Sequence, residues 1–232
     1  MTRREDAGAC CRQTIVLLYY ITDRTQLAAT EPERRAKLLA RIAEASHCGV
    51  DYIQLREKDL TARDLEALAR EAVRTVRDNS TRTRLLINSR TDIALAVDAD
   101  GVHLRADDVS ASDTRTLLAG LGQRQRLVAV SCHTLSEVVR ADAGGANFAV
   151  FGPVFEKPGS QTGSPGLTAL KEVCERTALT MKRMPVLALG GVTIETAAQC
   201  VKAGAAGVAG IRLFQAWNVG ETVEKLKGFG VT

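Results

Sequence analysis

Short apolar runs and helix-patterned stretches alternate from one end of this chain to the other, and that alternation narrows its fold more than any other property. The strand-like runs fall at 16–22, 52–55, 85–87, 101–103, 127–131, 148–151, 185–189 and 207–210. Helical patterns follow them at 32–48, 61–77, 92–97, 111–119, 135–144, 167–177, 194–203 and 219–227. In the second of these, Leu65, Leu68, Ala69, Ala72, Val73 and Val76 recur at helical spacing on one face. The third opens on Asp92, read as an acidic cap. Strands that are apolar nearly throughout belong to a sheet covered on both faces, which requires parallel strands joined by helical crossovers. Eight such units predict an α/β protein closed into a single-domain (β/α)8 TIM barrel, with a doubly wound open sheet as the alternative. The barrel is expected over residues 15–232, after a loose tail at 1–14.

Composition limits the function classes. Hydrophobic residues make up 45% of the 232 and charged residues 25%, enough for a sizeable core in an ordinary globular domain. The net charge of +4 is spread thinly, and 4% aromatics provide no stacking platform, so no nucleic-acid partner is expected. Mild basicity fits a small anionic substrate or simply a solvated surface. No apolar run reaches the ~18–20 residues that span a bilayer. The run at 15–21 is short and leads into Thr22-Asp23-Arg24, so a first strand and a cytoplasmic protein are expected. Six cysteines form no CxxC pair and show no Cys/His metal spacing, which reads as reduced thiols. Cys132 stands beside a histidine and is weighed as a nucleophile, but strand alternation turns it away from Ser131 and His133.

Polar residues collect where the apolar runs end. Arg56 and Lys58 follow the second run, Asn88 and Arg90 the third, His103 ends the fourth, and Ser131 and His133 lie at the end of the fifth. In a parallel barrel those ends form one rim, where active sites are built. Arg56 and Lys58, two residues apart, suit a di- or polyanion, or else pair with Glu57 and Asp59. Arg90 joins the same pocket or pairs with a neighbour. Gly190 and Gly191 after the seventh run, with Gly210 and Ile211 closing the eighth, suit a phosphate held on backbone N–H groups. Asp107-Asp108 reads equally as Mg²⁺ ligands or as a loop cap before Ser110. His133 is the proton-transfer candidate; His103 is expected to pack in the barrel or support the site.

As a set, Tyr20-Ile-Thr-Asp23, Gln54-Leu-Arg-Glu-Lys58, the Ile87–Leu95 segment Ile-Asn-Ser-Arg-Thr-Asp-Ile-Ala-Leu, Ala99-Asp-Gly-Val-His-Leu104, Ser131-Cys-His133, Phe151-Gly-Pro-Val-Phe155 and Leu189-Gly-Gly-Val-Thr193 resemble the thiamine phosphate synthase/TenI superfamily. The resemblance runs from Leu18 to Phe214 and implies a barrel that binds thiazole phosphate at its last two loops. Two activities come with it. The synthase joins an aminopyrimidine pyrophosphate to thiazole phosphate with Mg²⁺; Asp108 would match a metal ligand, and Arg56, Lys58, Asn88 and Ser131 pyrophosphate contacts. The TenI-type tautomerase aromatises a carboxylated thiazole phosphate with His133 as acid/base and needs no cofactor. This chain has Ser89 where the synthase pattern has a second metal aspartate. In the 156–162 loop the synthase's pyrophosphate lysine is missing or displaced to Lys157. The tautomerase is therefore the expected activity, with the synthase and a non-catalytic phosphate binder as alternatives. A homodimer is allowed, and the sequence does not fix it.

Overall fold

The computed structural model describes residues 16–155, 166–216 and 218–229. The expected tail at 1–14 and most of the 152–165 loop, including Lys157, lie outside them. Eight parallel strands pair in sequence order and close on themselves. They are β1 (Leu17–Ile21), β2 (Tyr52–Leu55), β3 (Arg84–Asn88), β4 (Gly101–Leu104), β5 (Leu127–Cys132), β6 (Phe148–Phe151), β7 (Val186–Ala188) and β8 (Gly207–Gly210). The helices between them are α1 (Glu31–His47), α2 (Ala62–Asn79), α3 (Thr91–Ala96), α4 (Ala111–Gly120), α5 (Leu135–Ala143), α6 (Gly166–Ala178) and α7 (Ile194–Lys202). After β8 come α8 (Arg212–Gln215) and α9 (Val219–Gly228). The (β/α)8 barrel read from the alternation is the fold observed.

The residues explain these elements locally. Helix α2 starts where the Thr61 hydroxyl accepts from Asp64 N–H, and it buries the six residues that share its apolar face. Helix α5 carries a capping box between Thr134 and Glu137. Strand β7 is shorter than the 185–189 run, because Pro185 has no N–H for the ladder and the chain bends at Gly190. The acidic cap expected at Asp92 is corrected: Arg90 occupies the N-cap of α3, without a side-chain cap bond, and Asp92 lies in the first turn. Helix α8 has no counterpart in the sequence reading, since four residues are too few to show a period.

Two apolar layers result. The larger lies between strands and helices and includes Leu38, Ile42, Leu68, Val102, Val138 and Phe214. The smaller fills the barrel with Tyr19, Ile21, Leu86, Ala129, Phe148, Val150, Leu187 and Ala209. Tyr52 and Phe148 rings lie 4.7 Å apart, and Tyr19 meets Phe148 edge-on at 5.4 Å. The seam closes where Leu17 pairs with Gly207, and a Cβ on Gly207 would lie 1.9 Å from the Leu17 carbonyl oxygen. Only glycine fits there.

Candidate active site

Register brings the strand ends together. Tyr20 lies beside Gly210, Ile21 beside Gln54, Asn88 beside His103, and Leu104 beside Val130. Cys132 lies beside Phe151, and Phe151 beside Ala188. Arg56, Lys58, Asn88, Ser131, His133, Gly190, Gly191, Gly210 and Ile211 therefore all stand on or just beyond one rim. Across it the Gln54 amide donates to Asn88 Oδ1 at 3.4 Å, and Asn88 Nδ2 donates to Ser89 Oγ at 3.1 Å. Ser89 itself adopts φ +60, a left-handed conformation that Asn or Asp tolerates better than Ser.

The two rim histidines differ in kind. His103 is 2% exposed, with Nδ1 3.0 Å from the Tyr19 hydroxyl and Nε2 2.7 Å from Ser131 Oγ. Burial pushes its pKa down to about 3, with the Asp108 charge opposing and Arg56 adding to the fall. It is thus a neutral ring that fixes the Ser131 hydroxyl from inside the barrel, a closer role than sequence spacing could show. His133 is exposed, and its Nδ1 lies 2.5 Å from the Gly152 carbonyl oxygen. A carbonyl only accepts, so Nδ1 carries a proton, and Nε2 is the ring nitrogen left to exchange one. His133 N–H donates to Glu137 Oε2 at 2.5 Å, which ties the residue to the first turn of α5. Cys132 points to the helices, wholly buried, and burial together with the Glu137 charge lifts its thiol to about 12. That removes the nucleophile alternative.

The cations sort themselves by partner. Arg90 forms two bonds to Asp92, at 2.9 and 2.6 Å, which is the neighbour pairing weighed from sequence. Glu57 and Asp59 do not neutralise Arg56 and Lys58, because both turn to Arg24, at 3.2 and 2.6 Å. Lys58 has its pKa lowered first by Arg56, then by desolvation and by Arg105. Arg56 and Lys58 therefore share one positive region, with the Arg105–Asp107 pair near enough to act on Lys58 in both directions.

Arg105 also bears on the metal alternative. Its Nη2 reaches Asp107 at 2.8 Å and its Nε reaches Asp108 at 3.4 Å, while its backbone N–H donates to Asp108 Oδ2 at 2.8 Å. Each Asp108 oxygen thus has one partner within its own loop, and Ser89 supplies no second carboxylate. Among the described residues no group of three or more His, Cys, Asp or Glu is placed to hold a metal ion. Mg²⁺ favours a near-octahedral oxygen shell anchored on one or two carboxylates. These residues do not fit it, and Asp108 acts as the loop cap.

The glycine loops lie side by side, since β7 pairs with β8 through Ala188 and Val208. Gly190 and Gly191 have φ +94 and +63, and a Cβ on either would come within 2.7 Å of Pro153 or Phe155. Glycine is therefore required at this turn, which packs against Pro153 and Phe155 and leads into α7, while Gly210 and Ile211 lead into α8. Such a pair of turns can present amides to a phosphate.

Comparison with known proteins shows the family. The family model described as thiamine monophosphate synthase matches residues 18–214. A putative thiamine-phosphate synthase of Geobacter sulfurreducens is 45% identical over 194 residues, 83% of each chain. A thiamine-phosphate synthase of Roseiflexus sp. is 38% identical over 195 residues, 83% of this chain and 75% of the relative. Thiamine phosphate pyrophosphorylase from Pyrococcus furiosus superposes with a TM-score of 0.74 at 26% identity, covering 94% of this chain and 96% of the other. By its barrel, its rim motifs and these relatives, the chain belongs to the thiamine monophosphate synthase family.

Proposed function

We propose that this protein acts on a thiazole phosphate as a metal-independent tautomerase of thiamine biosynthesis. The observation that carries the reading is His133, whose Nδ1–H is engaged by Gly152 O so that Nε2 is free to take a proton. The phosphate would rest on the amides of Gly190, Gly191, Gly210 and Ile211. The substrate carboxylate would face Arg56 and Lys58, while Asn88 and the His103-held Ser131 hydroxyl orient the ring. Nε2 then takes the proton beside the polarised imine and returns it elsewhere on the ring, leaving an aromatic thiazole. No step requires a metal.

The names of the relatives favour a second reading, the synthase, in which Arg56, Lys58, Asn88 and Ser131 receive the pyrophosphate of the pyrimidine substrate. One pair of assays separates the two. Isomerisation of the carboxylated thiazole phosphate is expected to proceed unchanged in EDTA and to fall roughly 10²–10⁴-fold in His133→Gln, the range that a lost acid/base catalyst accounts for. EDTA-sensitive formation of thiamine phosphate from the two synthase substrates would establish the second reading instead. Thiazole phosphate binding without either reaction would identify a silent binder.

A further inference from the structure

Arg24 is buried to 2% exposure at the rim, and it takes no part in the chemistry above. Its guanidinium reaches Glu57 at 3.2 Å, Asp59 at 2.6 and 3.0 Å, and Glu31 at 2.8 Å. Its backbone N–H donates to Glu57 Oε2 at 3.0 Å. Thr22, wholly buried, donates its hydroxyl to Glu57 Oε1 at 2.5 Å and accepts the Arg56 N–H at 3.0 Å. The β1–α1 segment thus grips the β2–α2 segment at two consecutive residues, Arg56 by its backbone and Glu57 by its carboxylate.

A buried ion pair contributes little net stability, because desolvation offsets most of the attraction. What this one controls is geometry. Glu57 sits between Arg56 and Lys58, and Asp59 follows them; both carboxylates are held by Arg24. Gripping Glu57 and Asp59 fixes the backbone on both sides of Lys58 and directly after Arg56. Arg56 and Lys58 carry like charges, and the Arg56 charge is the largest cause of the lowered Lys58 pKa, so a fixed backbone keeps two mutually repelling groups close.

We infer that Thr22, Arg24 and Glu57 are positioning residues that hold Arg56 and Lys58 side by side to receive an anionic group of the substrate. This rests on the reading that Arg56 contacts that anion. The test is a double-mutant cycle read by calorimetric titration of inorganic pyrophosphate into the full chain, with melting curves as the folding control. Arg56→Ala and Glu57→Gln are each expected to weaken binding roughly tenfold, the scale of one charge-assisted bond. The double variant is expected to lose clearly less than the sum of the two single losses, since part of the Glu57 effect passes through Arg56 and the remainder through Lys58. Additive losses, or unchanged binding in a folded Glu57→Gln, would overturn the inference. If Glu57→Gln does not fold, Thr22→Val, which removes one hydroxyl, enters the cycle in its place with the same expected coupling. Unchanged binding in Arg56→Ala would instead bring down the anion-site reading beneath it.

Discussion

His103 shows how a single residue couples fold and site. Its ring is neutral because it is buried, and neutrality lets it bridge Tyr19 and Ser131, whose hydroxyls can each donate or accept. The cost appears in acid. The folded pKa of about 3 lies below the ordinary 6.5, so between those values the unfolded chain binds the extra proton. This contribution to stability is therefore fully present above about pH 6.5 and is lost as pH falls toward 3. Unfolding titrations at pH 6 and pH 4 are expected to show a slope steeper in the wild type than in His103→Gln by about 1.4 kcal/mol per pH unit. Parallel profiles would mean that His103 titrates normally. Sequence placed His103 and His133 alike at strand ends. The supporting role expected of His103 is the one observed, but its Tyr19 partner was not legible, because it is 84 residues away and only barrel closure brings it near.

At the level of elements, most of the fold was legible because each strand and helix carries its own period and its own stops. Thr61, Ser110 and Thr134 cap α2, α4 and α5 just where the helical patterns begin. The misses share one cause. Helix α8 is four residues long, the start of α3 is set by Arg90 and not by Asp92, and β7 loses its ends to Pro185 and Gly190, so all three depend on local geometry that no period reports. The β8–β1 seam is the element contact with least tolerance, since Gly207 has no room for a Cβ. Gly207→Ala is expected to cost about 2–3 kcal/mol, seen as a melting temperature lower by roughly 4–12 °C. An unchanged melting temperature would mean that the seam can relax.

Across the whole molecule, parallel closure does what no local segment can, gathering residues from all parts of the chain on one rim. The apolar-run endings already pointed to that gathering, and Arg56, Asn88, Ser131 and His133 do stand there. Other features were not legible. The Arg24 clamp joins groups 33 and 35 residues apart, and Asp107-Asp108 reads identically as ligand or cap until Arg105 is seen to hold both. No helix among the described residues is long and apolar enough to cross a membrane.

The central claim is that this rim is one anion-binding active site, and a crystal structure with thiazole phosphate bound tests it most directly. The account predicts the phosphate on the Gly190–Gly191 and Gly210–Ile211 amides, with the ring within reach of Asn88, Ser131 and His133 Nε2. Phosphate seated instead at the opposite end of the barrel, in the cleft lined by Arg77, Arg82 and Lys227, would contradict it.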